Sequence, residues 1–270
     1  MSYRYSLAYL TVHEVSPVEA VKIAAQTGYD ALGIRLLPSS PTDGPFPLLG
    51  DAKMQREMRA ALTDTGVALA DIEIIRIDQG FDPSAYDEFL DLGKRLGAQH
   101  VLVAGDDSEQ GRLTDSYGRF CERAAQFELT ADLEFMPWTA VPNVSVSAEI
   151  VAAVGQANAG LLVDALHYAR SDSHLEQLAQ LPAEWLNYVQ LCDAPSEYDS
   201  SVAGLIHTAR DERLLPGRGG INLAEMLSVL PKDLVLSIEI PRRAEAAKVS
   251  AAERAAQALG ASKALVESLS

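Results

Sequence analysis

Cysteine is nearly missing: two residues, Cys121 and Cys192, in a chain of 270. Cys121 falls in a helical pattern and Cys192 follows an apolar run. Both are expected to be unpaired packing residues of a reducing compartment. Basic residues are scarce as well, with 22 Lys and Arg against 38 Asp and Glu, a net charge of −16. No Lys or Arg run forms a patch that would attract phosphates or anionic lipid heads, so neither a nucleic acid nor a membrane is an expected partner. No apolar run approaches the roughly 20 residues that span a bilayer. The opening segment MSYRYSLAYL lacks the basic-then-apolar pattern of an export leader. These absences lead to the expectation of a cytoplasmic protein. Glycine is absent where a nucleotide-binding sheet would need it, in residues 11–17 after the first apolar run. The one Gly-rich turn, at 216–220, comes late and follows a loop. A P-loop or dinucleotide fingerprint is thereby excluded.

What the chain does have is a core and a rhythm. Hydrophobic residues make up 48% and charged residues 22%, which supports a sizeable core and excludes disorder. Its 270 residues suit a single domain, 1–270, of eight βα units, an architecture that takes about 250 residues. Apolar runs at 5–10, 31–36, 67–77, 100–103, 131–135, 160–163, 186–191 and 234–240 read as strands. Helical patterns at 17–26, 52–63, 85–96, 119–128, 148–156, 174–180, 223–230 and 244–268 alternate with them. That alternation predicts an α/β fold, the (β/α)₈ TIM barrel. Helix-to-strand links are short and carry Gly stops at Gly28, Gly66, Gly97 and Gly160. Strand-to-helix links are long, at 38–51, 137–146 and 193–222. The elaborated loops therefore gather on one face, the C-terminal mouth where barrel enzymes place their chemistry.

The last residue or two of each barrel strand faces that mouth. At four successive strand ends stand Glu134, Asp164, Gln190 and Glu239, each polar and set in or closing an apolar run. Buried carboxylates are costly unless paired or bound to a cation. Four oxygen ligands on consecutive strands would converge on one point and suit a hard divalent ion. The competing account is that each one caps a helix or meets an arginine, which is harder to sustain for all four together.

The chain resembles the xylose isomerase-like TIM barrel superfamily. This group holds sugar phosphate isomerase/epimerases, endonuclease IV, inosose dehydratase and 3-dehydroshikimate dehydratases. The residues that carry the resemblance are Gly28-Tyr29-Asp30-Ala31, Leu133-Glu134-Phe135 and Asp164-Ala165-Leu166-His167. Further on come Val189-Gln190-Leu191-Cys192-Asp193, Leu215-Pro216-Gly217-Arg218-Gly219 and Ile238-Glu239-Ile240. In the epimerases the ligands are Glu, Asp, His and Glu on the fifth to eighth strands, which map onto Glu134, Asp164, Gln190 and Glu239. Gln190 departs by replacing an imidazole with an amide, as some 3-dehydroshikimate dehydratases do. Gly33 departs too, where many members carry Glu. Endonuclease IV needs more histidines than the five present.

The resemblance implies an isomerase or epimerase of a keto-sugar or polyol-derived ketone, dependent on one divalent ion (Mn²⁺, Mg²⁺ or Co²⁺). Glu134 and Glu239 would move a proton through a metal-stabilised enediolate, and Asp164 and Gln190 would be structural ligands. Should the carbanion expel a β-hydroxyl, the same set becomes a lyase that dehydrates a cyclic hydroxy-ketone, with His167 the candidate acid. Gln190 and the late arginines favour the lyase, whereas frequency in the superfamily favours the isomerase. Binding of the small-molecule substrate is expected from His207, Arg210 and Arg213 in the 193–222 segment, although these arginines could instead pair with Asp211 and Glu212. Arg35 is expected to face the mouth, Trp138 to wall the pocket or pack in the core, and His13 to end the first strand and bond a hydroxyl. Arg242 or Arg243 is expected to neutralise the acidic site. A scaffold with a purely structural metal is a third reading. Dimers or tetramers are common among such barrels, so a homo-oligomer is an open expectation.

Overall fold

A computed structural model of the chain describes residues 3–40 and 43–269. Pro41 and Thr42 of the 38–51 loop, and Met1 and Ser2 of the opening segment, lie outside the described residues. Eight parallel strands close into a barrel in sequence order. They are β1 (Arg4–Leu7), β2 (Ala31–Arg35), β3 (Ala68–Ile77), β4 (His100–Gly105), β5 (Thr130–Glu134), β6 (Ala159–Asp164), β7 (Tyr188–Leu191) and β8 (Val235–Ile238). The helices α1 (Pro17–Thr27), α2 (Ala52–Thr65), α3 (Asp87–Leu96), α4 (Gln110–Ala125) and α5 (Val144–Val154) follow the first five strands. Then come α6 (Ala165–Arg170), α7 (Leu175–Ala179), α8 (Val202–Asp211), α9 (Leu223–Val229), α10 (Arg243–Ala246) and α11 (Ala251–Ser268). The expected (β/α)₈ barrel is the fold observed.

Register decides which side chains enter the barrel. Glu134 lies opposite Leu162, Asp164 opposite Gln190, and Gln190 opposite Ser237. Because side chains alternate along a strand, Leu102, Ala104, Leu162, Tyr188 and Val235 share the inner face with these polar residues. With Ile74 and Met136 they form an apolar cluster separate from the larger one between sheet and helices. The polar strand ends thus sit on a packed apolar floor.

Three of the expected Gly stops end helices in the left-handed conformation: Gly28, Gly66 and Gly97. The fourth is corrected: Gly155 ends α5 with φ 61°, and Gly160 lies inside β6. There a Cβ would stand 2.2 Å from Asp132 Oδ1, so it is side-chain crowding that favours glycine. The first strand stops at Leu7, three residues short of the expected end. A 3₁₀ turn, Tyr9–Val12, follows because the Thr11 hydroxyl donates to Ile238 O at 2.7 Å and accepts from Ile240 N at 2.8 Å. The final helix is broken in two, with Ser250 capping α11. Helix α4 starts nine residues before the expected 119, capped by the Glu109 carboxylate. The 193–222 loop contains α8. Both cysteines are buried and free. Among the described residues no helix is long and apolar enough to cross a membrane.

Candidate metal centre

All four strand-end residues are buried, with Glu134 4%, Asp164 0%, Gln190 1% and Glu239 3% exposed, and Glu134 and Glu239 line the mouth cavity. Asp164 ends β6 and also caps α6, its Oδ1 accepting from Leu166 N at 2.7 Å and His167 N at 3.0 Å. This strand–cap–helix step sets His167 on the first turn of α6, with Nε2 3.6 Å from Glu134 Oε1. Trp138 closes over it, the two rings meeting edge to face at 5.0 Å. Gln190 Nε2 donates to Glu239 Oε1 at 3.1 Å.

Arg213 joins the two halves. Its Nη1 lies 2.5 Å from Asp164 Oδ2 and its Nη2 2.8 Å from Glu239 Oε2. The side chain is 2% exposed, and Nε donates to Ala209 O at 3.0 Å. The expectation of a lid arginine gripping substrate is therefore corrected: its fork is spent on two carboxylates. The cap-or-arginine account of the strand ends also holds in part, since Asp164 does both. The segment that carries Arg213 is tied down by Asp193, which bridges Leu214 through the backbone and whose buried carboxylate accepts four backbone N–H groups. They are Ala194 (2.8 Å), Ile221 (3.1 Å), Gly217 (3.0 Å) and Gly219 (2.8 Å). Arg213 N bonds Pro241 O at 3.0 Å, so the segment is tied to the end of β8.

Burial first, then the carboxylates of Asp164 and Glu239, pushes the Glu134 pKa well above the carboxylate range. Burial raises Glu239 to about 8, although Arg213 opposes it. Burial also works against the Arg213 charge, but Asp164 and Glu239 outweigh it and hold that pKa high. Asp164 stays low despite burial, through Arg213 first and then His167. His167, buried, falls to about 4 and is neutral at pH 7.

Two observations fit a cation here. Gln190 Oε1 is buried with no hydrogen-bond partner among the described residues. Ligand atoms of Glu134, Asp164 and His167 all lie within 4.8 Å of one another, and among the described residues no donor hydrogen-bonds Glu134. The donors are carboxylate and amide oxygens with one imidazole, a set suited to a divalent ion. His167, expected to meet substrate, thus also stands where it can ligate.

The remaining expected residues divide. The mouth cavity, about 50 Å³, is lined by Arg35, Arg76, Trp138, Arg210, Arg213 and Glu239, among others. Arg210 is half-buried there and makes no side-chain hydrogen bond or ion pair among the described residues. Arg35 reaches the cavity but is paired with Glu73 at 2.5 Å. His13, displaced by the turn after β1, does not line the mouth. It lines a separate cavity of about 280 Å³ between the loops after β1 and β2. His207 is exposed on α8 and pairs with Asp211 at 3.1 Å and Glu212 at 3.4 Å. Arg243 pairs with Asp211 at 2.6 Å and Arg242 with Glu245, so Arg213 is the neutralising group in their place. Sequence reading missed Glu73, Arg76 and Asp71 on β3. Their signal was the alternation Asp71-Ile72-Glu73, which puts two carboxylates on the inner face. Asp71 also accounts for Gly33: a Cβ there would stand 2.6 Å from its carboxylate.

Residues 21–265 match the family model of xylose isomerase-like TIM barrels. The chain belongs to that family. Over 144 residues (51% of this chain, 22% of that protein) it is 32% identical to a 3-dehydroshikimate dehydratase of Pseudomonas aeruginosa. The chain thus matches about a fifth of that dehydratase's length. Over 237 residues (82% of this chain, 80% of that protein) it is 24% identical to an inosose isomerase of Halalkalibacterium halodurans. Among solved structures, the IOLI protein, crystallised with a zinc atom, superposes with a TM-score of 0.79 at 19% identity, covering 99% of each chain. The barrel's relatives are thus enzymes, an isomerase and a dehydratase among them.

Proposed function

We propose that this barrel is a divalent-metal-dependent lyase that removes water from a cyclic hydroxy-ketone bearing a carboxylate, of the 3-dehydroshikimate type. The carrying observation is Arg210, a half-buried guanidinium in the mouth cavity without an anionic partner among the described residues. A desolvated, unpaired charge is costly, and a substrate carboxylate would satisfy it bidentately. Gln190 and the identity to a dehydratase support the same reading. The donor set of Glu134, Asp164, Gln190 and Glu239, with His167 alongside, fits the ion. A divalent ion held there supplies Lewis acidity, polarising the substrate carbonyl and acidifying the adjacent C–H.

Glu134 is the proton acceptor the geometry favours, because no protein donor among the described residues competes for its oxygens, and a divalent ion beside it would offset the burial that keeps its carboxyl protonated in the ion-free barrel. Glu239 is held by Arg213 and Gln190 and serves to keep its position. The C–H proton passes to Glu134, the C–H electron pair becomes the new C=C, and the C–O bond breaks as the β-hydroxyl takes that same proton from Glu134 and leaves as water. His167, neutral, orients that hydroxyl through an N–H and does not act as an imidazolium acid. Trp138 walls the ring. The reaction balances with no oxidant or reductant.

An isomerase reading keeps one specific support, the match to inosose isomerase over four-fifths of that protein. Proton NMR in D₂O separates the two, using metal-stripped and Mn²⁺-reloaded protein with keto-sugars and cyclic keto acids. New vinyl or aromatic protons on the keto acid are expected. Exchange of a C–H at conserved mass would establish the isomerase instead. No turnover and no Mn²⁺ binding would overturn both.

A further inference from the structure

The arrangement around Arg213 carries a consequence for how the centre takes up its ion. Asp164 and Glu239 are two of the four expected oxygen ligands, and one guanidinium holds both at 2.5 and 2.8 Å. That guanidinium cannot swing clear. Nε is bonded to Ala209 O, Nη1 lies 3.4 Å from Cys192 Sγ, and the main chain is bonded to Pro241 O at Arg213 itself and to Asp193 at the next residue, Leu214. An incoming divalent ion therefore shares the two carboxylates with a fixed positive charge. With all three carboxylates ionised, Glu134, Asp164 and Glu239 carry three negative charges, and Arg213 brings the sum to −2. One divalent ion brings it to zero. Without Arg213 no cation among the described residues would pair with Asp164 or Glu239.

We propose that Arg213 is the built-in counter-cation of the centre, balancing Asp164 and Glu239 when no divalent ion is present and competing with that ion for them. The barrel then folds without its metal, and the metal binds as an exchangeable ion. Like charges facing the same ligands lower one another's affinity. This rests on the reading of the strand ends as a divalent-metal centre.

Calorimetric titration of Mn²⁺ into metal-stripped wild type, R213M and R213Q tests it, together with thermal unfolding of each form with and without Mn²⁺. The neutral variants are expected to bind Mn²⁺ tighter, by on the order of tenfold. Their ion-free forms should unfold at a lower temperature, with a larger rise on adding Mn²⁺, and R213K should return towards wild type. Isolation of R213M in folded form only when Mn²⁺ is present would support the proposal equally. R213Q keeps a donor and much of the side-chain length, and it decides the question if R213M does not fold at all. Folded neutral variants with unchanged affinity would overturn the proposal. So would a loss of about ten- to a hundredfold, the usual result of removing a group that merely orients a ligand. Absence of Mn²⁺ binding by the wild type would overturn the metal-centre reading itself.

Discussion

Asp71 forms no ion pair among the described residues. Its carboxyl is buried under the mouth, with Oδ1 unpartnered among the described residues. Burial first, then Glu73, Glu239 and Asp132, holds its pKa well above the ordinary 3.8. The folded chain therefore binds this proton more tightly than the unfolded chain, and stability falls as pH rises from 3.8 through the raised value. Asp71→Asn should raise the unfolding midpoint at neutral pH and flatten that fall, as measured by thermal unfolding across mildly acidic to neutral buffers. An unchanged profile would show that the carboxyl is already ionised without cost. Arg210 lends itself to a kinetic test. Its replacement by Leu should raise KM for a carboxylate-bearing substrate by about 10- to 100-fold, the worth of a charged hydrogen bond, with much less change in kcat. Equal loss on a neutral keto-sugar would remove it from carboxylate recognition. The buried strand-end residues were legible because strand ends are marked by a break from apolar to polar. Arg213 and Arg210, three residues apart on one loop, were not separable. Only the tertiary position of α8 sends one into the centre and leaves the other facing the mouth.

At the level of elements, the segment after β7 shows how a loop is made rigid. Asp193 gathers four backbone N–H groups onto one buried carboxylate, and Leu214 pairs with it as a two-residue bridge. Asp193→Ala would leave those donors unsatisfied. A loss of about 3 kcal/mol or more is expected in urea unfolding, together with weaker placement of Arg213. A loss under about 1 kcal/mol would show that water replaces the carboxylate. The Cys192-Asp193 and Pro216-Gly217 motifs could be seen in the sequence, but not that one holds the other, since Gly217 lies 24 positions after Asp193. Helix starts were the least legible elements. The first turns of α4 are polar and present few apolar positions, and α8 buries only Ala209, too little for a periodic signal.

For the whole molecule, eight alternating units and the closed barrel they build were readable from end to end, whereas the bonds that tie its seam were not. The β1–β8 ladder closes the barrel, and Thr11 extends that seam, its hydroxyl bonding two backbone groups more than 225 residues away. Thr11→Val removes both bonds at a buried site, and a loss of roughly 2–3 kcal/mol is expected in urea unfolding. A near-neutral result would assign closure to the β1–β8 ladder alone. The mouth cavity has a kinetic consequence. As it stands its 50 Å³ is room for a few waters. If a ring-sized ligand enters only once α8, which buries Ala209 alone, has moved outward, observed association rates level off with rising ligand concentration in stopped-flow mixing. Rates that stay linear in ligand would show that the mouth admits it without that movement.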